Sequence, residues 1–164
     1  MLLILRAVLV AGVAMLAAGP MRAQGLVTQR SLSLGMAKEI AEAAMAECKS
    51  KGFNTAVAVV DRAGQVLVLL RDEGTTAQVG EMARRKAYTA RMFRMTSAEF
   101  QKRTGPDMPL AGQRNLTDIL ALSGGVPIQL GKETIGAVGS AGSNLEQDDA
   151  CAKAGVAKVA DQLK

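Results

Sequence analysis

Apolar residues first recur at helical spacing beyond residue 33. Leu34, Ala37, Ile40, Ala41, Ala44 and Cys48 fall three or four residues apart between Ser33 and Gly52, which predicts an amphipathic helix opened by serine and closed by glycine. The pattern then changes. TAVAVVD (55–61) and QVLVLLR (65–71) are β-branched and apolar almost throughout, and Arg62-Ala63-Gly64 joins them. That is a hairpin in a sheet covered over much of its area. From Thr76 to Phe93, the residues Val79, Met82, Ala83, Ala87, Ala90 and Phe93 outline a second long helix, studded with Arg84, Arg85, Lys86, Arg91 and Arg94. Thr96-Ser97, with Glu99 behind, starts a short third helix. Residues 105–112 carry Pro106 and Pro109 and read as loop, and the apolar stretch 116–122 fits either a short strand or a helical turn. VPIQL, the turn Gly131-Lys132-Glu133 and TIGAVGSA form a second hairpin, after which Asn144 begins the last helix. Helix, hairpin, helices, hairpin, helix is the order of an α/β (α+β) domain with one antiparallel sheet and helices packed on it.

The N-terminus belongs to a different class. Residues 2–18 are apolar except for Arg6, and Gly19-Pro20 and Met21-Arg22-Ala23 follow. This is the pattern of a secretory signal over residues 1–23, leaving a domain at 24–164 that is periplasmic or secreted and has no membrane segment once the signal is cut; an uncleaved anchor or a cut a few residues earlier are the alternatives. Loss of Arg6 and Arg22 takes the formal charge from +5 to +3. So mild a charge, with no Trp, one Tyr and three Phe, speaks against nucleic acid as a partner, because platforms for stacked bases are missing. The chain has no His, which excludes a Ser-His-Asp triad, a His metal site and an imidazole base.

The stretch TIGAVGSAGSNLEQDD, residues 134–149, raises the question of a phosphate cradle. Its G-x-x-G-x-x-G spacing matches neither the dinucleotide nor the P-loop pattern. Glu146, Asp148 and Asp149 follow in the first helical turn, where they complement the helix dipole and repel an anion.

Four pieces in order, VAVVDRAGQVLVLLR, ARRKAYTARMF, GGVPI and IGAVGSAGSNLEQDDACAKAG, resemble the GlcG/HbpS group, also called the haem-degrading or corrinoid-accessory C-terminal type. The resemblance covers nearly all of residues 24–164. It implies a profilin-like or roadblock-like domain, assembly as a homo-oligomer, and a haem or related tetrapyrrole ligand. It also marks Gly124, Gly125, Gly139 and Gly142 as structural glycines, the last two letting the final strand turn tightly into the final helix. Two stretches depart from the family pattern. Arg71-Asp72-Glu73-Gly74-Thr75 replaces Arg-Met-Asp-Gly-Ala, and Gly139-Ser140-Ala141-Gly142 replaces Gly-Val-Ser-Gly, so the hydroxyl moves one position and changes sheet face.

Lys86 and Thr89 match the family's Lys-Ala-x-Thr-Ala. They either present an ammonium and a hydroxyl to a ligand carboxylate, or the lysine head reaches water or Asp61. Arg84, Tyr88, Arg91 and Met95 form a further stripe, which either receives a propionate-bearing ring or is a solvated basic face. Tyr88 is either the candidate ligand to haem iron or an amphipathic side chain with its ring buried and its hydroxyl wet. Haem proteins use His, Cys, Met or Tyr; His is absent, and Arg84 and Arg91 flank the phenol. In the implied fold Cys48 and Cys151 lie on neighbouring helices, leaving a disulfide and two buried thiols both open. Asp61, Asp72 and Glu73 raise a cation site, and the scattered methionines a copper site, but EF-hand spacing is lacking and gap-filling accounts for the methionines. Three functions remain: tetrapyrrole binding, a cofactor-free oligomeric accessory to a periplasmic enzyme or transporter, and a haem-degrading enzyme. The last has least support, since without His its acid–base group would need a shifted pKa.

Overall fold

The computed structural model describes residues 25–164, so the expected signal segment lies outside the described residues. Helix α1, Leu34–Ser50, starts where the Ser33 side chain accepts from the Met36 backbone N–H, which satisfies one of the four donors that a helix N-terminus leaves over. Strands β1, Ala56–Val60, and β2, Val66–Arg71, form the first hairpin. Helix α2, Ala77–Phe93, ends at Arg94, which adopts the left-handed conformation. Helix α3, Ser97–Arg103, carries a complete capping box between Thr96 and Glu99. Strands β3, Gly125–Leu130, and β4, Glu133–Ala141, form the second hairpin, and helix α4, Leu145–Lys158, is capped by Asn144. Residues 116–122 are neither strand nor α-helix. Among the described residues no helix is long and apolar enough to cross a membrane.

The strands run in the order β2-β1-β4-β3, each pair antiparallel. Alternation along β1 sorts side chains by size. Val57 and Val59 enter the larger core with Ala37, Ile40, Ala41 and Ala44 of α1 and Ala152 of α4. Ala56, Ala58 and Val60 face the other way, where Ala83, Ala87 and Ala90 of α2 meet them together with Ala137 and Ala141 of β4. The sheet is therefore deep on the α1/α4 side and shallow on the α2 side.

Glycine makes the shallow side shallower still. A Cβ at Gly139 would overlap the Ala83 carbonyl oxygen and lie 2.6 Å from the Ala87 nitrogen. One at Gly125 would overlap the Lys86 carbonyl. The backbone of α2 thus rests on the backbone of β3 and β4. This corrects the role expected of Gly139: it sits within β4, where the helix crosses, while Gly142 alone turns the chain, with φ +123°.

Cys48 and Cys151 are joined by a disulfide with Cα atoms 5.5 Å apart, tying α1 to α4. Both residues are fully buried, and the Cys48 sulfur lies 3.6 Å from the Ser140 hydroxyl. Ser140 thus points into the α1/α4 core.

Two outcomes follow from this packing. Gly139→Ala should cost about 1–3 kcal/mol or more by overpacking, read as a lower urea midpoint, because the obstructing atoms are backbone. Denatured, unreduced protein should give no free thiol. A Cys48→Ala/Cys151→Ala pair should lose up to about 5 kcal/mol, as the bridge spans 103 residues.

Candidate functional site

Lys86 lies on the inward face of α2 with no exposed surface, and Asp148, in the first turn of α4, is 2% exposed. The Lys86 Nζ donates to Asp148 Oδ2 at 2.6 Å and to the Ser140 carbonyl at 3.0 Å. Asp148 Oδ1 accepts from the Ser143 N–H at 3.0 Å and from its hydroxyl at 2.6 Å. Gly124, at φ +119°, leaves room for the ammonium, since a Cβ there would stand 3.0 Å from Nζ and 2.9 Å from the Asp148 Cβ. Burial pushes the Lys86 ammonium below the ordinary lysine range, and the Asp148 charge works against that shift. The lysine therefore meets neither water nor Asp61. It does bind a carboxylate, but one supplied by its own chain.

The rest of α2 divides into two sides. On one, Arg84 holds Glu81 at 2.7 Å and Asp118 at 2.6 Å, and Arg85 donates to the Ile119 carbonyl at 2.6 Å. Thr89 accepts from the Leu120 N–H at 2.9 Å and donates to the Arg85 carbonyl. These contacts button residues 118–120 onto the helix, with Asp118 in the left-handed conformation at φ +64°. The two carboxylates raise the Arg84 pKa further, and Arg84 in turn lowers that of Glu81.

On the other side, Tyr88 and Met92 lie across the β1–β2 turn. A Cβ on Gly64 would come within 2.8 Å of the Tyr88 ring and 2.9 Å of the Met92 methyl carbon. Glycine is required there twice over, because φ is +83°. One turn along, Arg91 borders a cleft of about 450 Å³ with Gln29, Ser31, Asp61, Arg62 and Ala63. The buried Arg91 Nε has no hydrogen-bond acceptor. Burial, then repulsion from Arg62 and Arg94, lower its pKa, with only Asp61 opposing. Asp61 is occupied in the turn, accepting from the N–H groups of Ala63 and Gln65, while Arg62 pairs with Glu133 at 2.5 Å. Among the described residues Arg91 makes no ion pair.

Of the five residues expected to contact a ligand, the structure places Arg91 on the cleft beside Ala63 and Tyr88 against the adjoining Gly64 of the same turn. It commits Lys86, Arg84 and Thr89 to partners within the chain. The expected stripe also stops short of Met95, which lies past the left-handed Arg94 that ends the helix. Among the described residues no three acids or thiols cluster as metal ligands. Two partners escaped the sequence reading. Asp148 passed for a helix-dipole charge, and Asp118 stood in a stretch that read as either a short strand or a helical turn.

The architecture, four helices on a four-stranded antiparallel sheet, is the HbpS-like fold. The family model described as "Haem degrading protein HbpS-like" matches residues 32–157, and the chain belongs to that family. The structure matches HbpS of Streptomyces reticuli, a double mutant, with a TM-score of 0.77 and 33% identity over 86% of this chain and 97% of that one. It matches the fold of the PduOC:haem complex with a TM-score of 0.74 and 24% identity, over 79% and 95% of the two chains. An uncharacterised 15.0 kDa protein of Citrobacter freundii, from the dhaT-dhaS intergenic region, is 31% identical over 120 residues, 72% of this chain and 84% of that protein.

The buried pair yields a double-mutant test. Lys86→Met strands a buried carboxylate and should cost about 3–5 kcal/mol. Lys86→Met/Asp148→Asn should cost at least ~1 kcal/mol less than the sum of the single changes. Additive losses in urea unfolding would show that the two groups are not coupled.

Proposed function

We propose that this chain is an exported, self-associating haem-binding protein, with haem seated against the side of α2 that faces the β1–β2 turn. The observation that carries this reading is the Arg91 guanidinium, buried at Nε without an acceptor and bordering a cleft whose wall includes Ala63, next to the Gly64 on which Tyr88 lies. A buried donor left unpaired is costly, and a propionate would satisfy it with a charge-assisted bond. The donor set fits the group. With His absent and both cysteines bridged, the residue types known to hold haem iron reduce to Tyr and Met, and Tyr88 and Met92 lie together on the Gly64 turn. Tyr88 is the assigned ligand, and Arg91 the anchor for one propionate. Bound haem would supply a redox-active iron; the chain's residues bind it and orient it. Export is supported by the disulfide, which belongs to an oxidising compartment.

Haemin titration should give a Soret band with the wild type, a displaced band with Tyr88→Phe, and roughly tenfold or more weaker binding with Arg91→Gln. An unchanged spectrum and affinity in Tyr88→Phe would remove Tyr88 as ligand. No binding by any of the three would move the function to a cofactor-free accessory module. Ring opening under reductant or peroxide would make the protein a haem-degrading enzyme.

A further inference from the structure

The two edges of the sheet are built differently. Edge strand β3 carries Pro127, which removes a backbone donor. Edge strand β2 reads Val66-Leu67-Val68-Leu69-Leu70-Arg71, with no proline, no glycine and no charge before its last residue. It pairs only with β1, and among the described residues no backbone group of 66–71 bonds to any other segment. Val66 and Leu69 are 43% and 48% exposed. Long aliphatic edges left bare are templates for another strand, and proteins ordinarily blunt them.

The ground beside this edge is also prepared. Leu69 projects to the α2 side, 3.9 Å from where a side chain on Gly80 would begin. A cleft of about 320 Å³ opens there, lined by Leu69, Arg71, Ala77, Gly80, Glu81 and Arg84. Its floor is apolar and its rim carries both signs. Arg71 donates only to the Asp72 and Thr75 carbonyls and has no carboxylate partner among the described residues. The Glu81 side chain is 44% exposed.

We propose that a second copy of this chain pairs with this edge, β2 against β2, antiparallel about a two-fold axis normal to the sheet. Such an axis keeps both α2 helices on the same side. The two Leu69 side chains then share one apolar seam between the two clefts, and each rim offers a cation and a carboxylate to the other. The strand is its own hydrogen-bonding complement in this arrangement, and the contact is closed because both copies use the same patch. Extension stops at eight strands, since Pro127 marks each outer edge. The inference rests on the self-association put forward above and names its surface.

The test combines light scattering with hydrogen exchange on the full folded chain, comparing wild type with Leu69→Lys and Val66→Lys. The expected result is a wild-type particle with an even number of subunits and protected β2 amides. Leu69→Lys should halve its mass and speed exchange along β2 by at least tenfold. An oligomer whose mass survives both substitutions, and whose outer β2 amides exchange freely, would overturn the edge assignment while leaving self-association standing. A monomeric wild type at micromolar concentration would overturn both. Should the lysine variants fail to fold, the outward-facing β2 amides of the wild type, those not paired with β1, decide alone: slow exchange there supports the seam and fast exchange removes it.

Discussion

The ion pair between Lys86 and Asp148 is the constraint on which the arrangement of this domain turns. Two full charges are held out of water at the meeting point of α2, the end of β4 and the start of α4. Desolvation makes such a pair a poor source of net stability. Its force lies in what it forbids. If α2 slides by a residue, or α4 enters at another angle, the carboxylate or the ammonium is buried without a partner. The Ser140 carbonyl and the Ser143 N–H and hydroxyl complete the set of bonds, so these charges are satisfied only in one register.

That register is reachable because the sheet is thin where α2 crosses it. Alanine at 56, 58, 137 and 141 and glycine at 125 and 139 bring the helix backbone onto the strands. The lysine stem is then long enough to pass the edge of β4 and reach Asp148. Packing and charge act on the same coordinate: the small residues set the height of the helix and the ion pair sets its rotation. Once rotation is set, the outward residues have no freedom of assignment. Arg84, Arg85 and Thr89 meet the loop at 118–120, and Tyr88, Met92 and Arg91 meet the β1–β2 turn.

The local parts of this account were legible in the sequence, and the long-range parts were not. Helix starts at Ser33, Thr96 and Asn144 could be read because a cap and its helix are neighbours in the chain. Both hairpins could be read because their strands are short, largely apolar runs rich in β-branched residues and their turns are short. Lys86 lies 62 positions from Asp148 and Arg84 lies 34 from Asp118, distances across which periodicity carries no information. Gly139 shows the same limit: its place in a glycine-rich run suggested a turn, yet its cause is a helix that crosses from elsewhere in the chain. Leu34 was counted on the apolar face of α1 and is exposed, since position 34 is the first in its helix and overhangs the core.

The disulfide bears on how such a domain could respond to oxidants. Cys48 and Cys151 have no exposed surface and lie between α1 and α4, next to Ser140. A thiolate attacking a disulfide must reach a sulfur along its axis, so access governs the rate. Here access requires α1 and α4 to part, which means opening the core that contains Ile40, Val57 and Val138. The bridge is therefore a tether and not a sensor. Oxidants that leave the fold intact must act nearer the surface, where Met108 is half exposed and Tyr88 and Met92 are half-buried against Gly64. The disulfide thus ties α1 to α4 on one face of the sheet, while the Lys86–Asp148 pair ties α2, on the other face, to the start of α4.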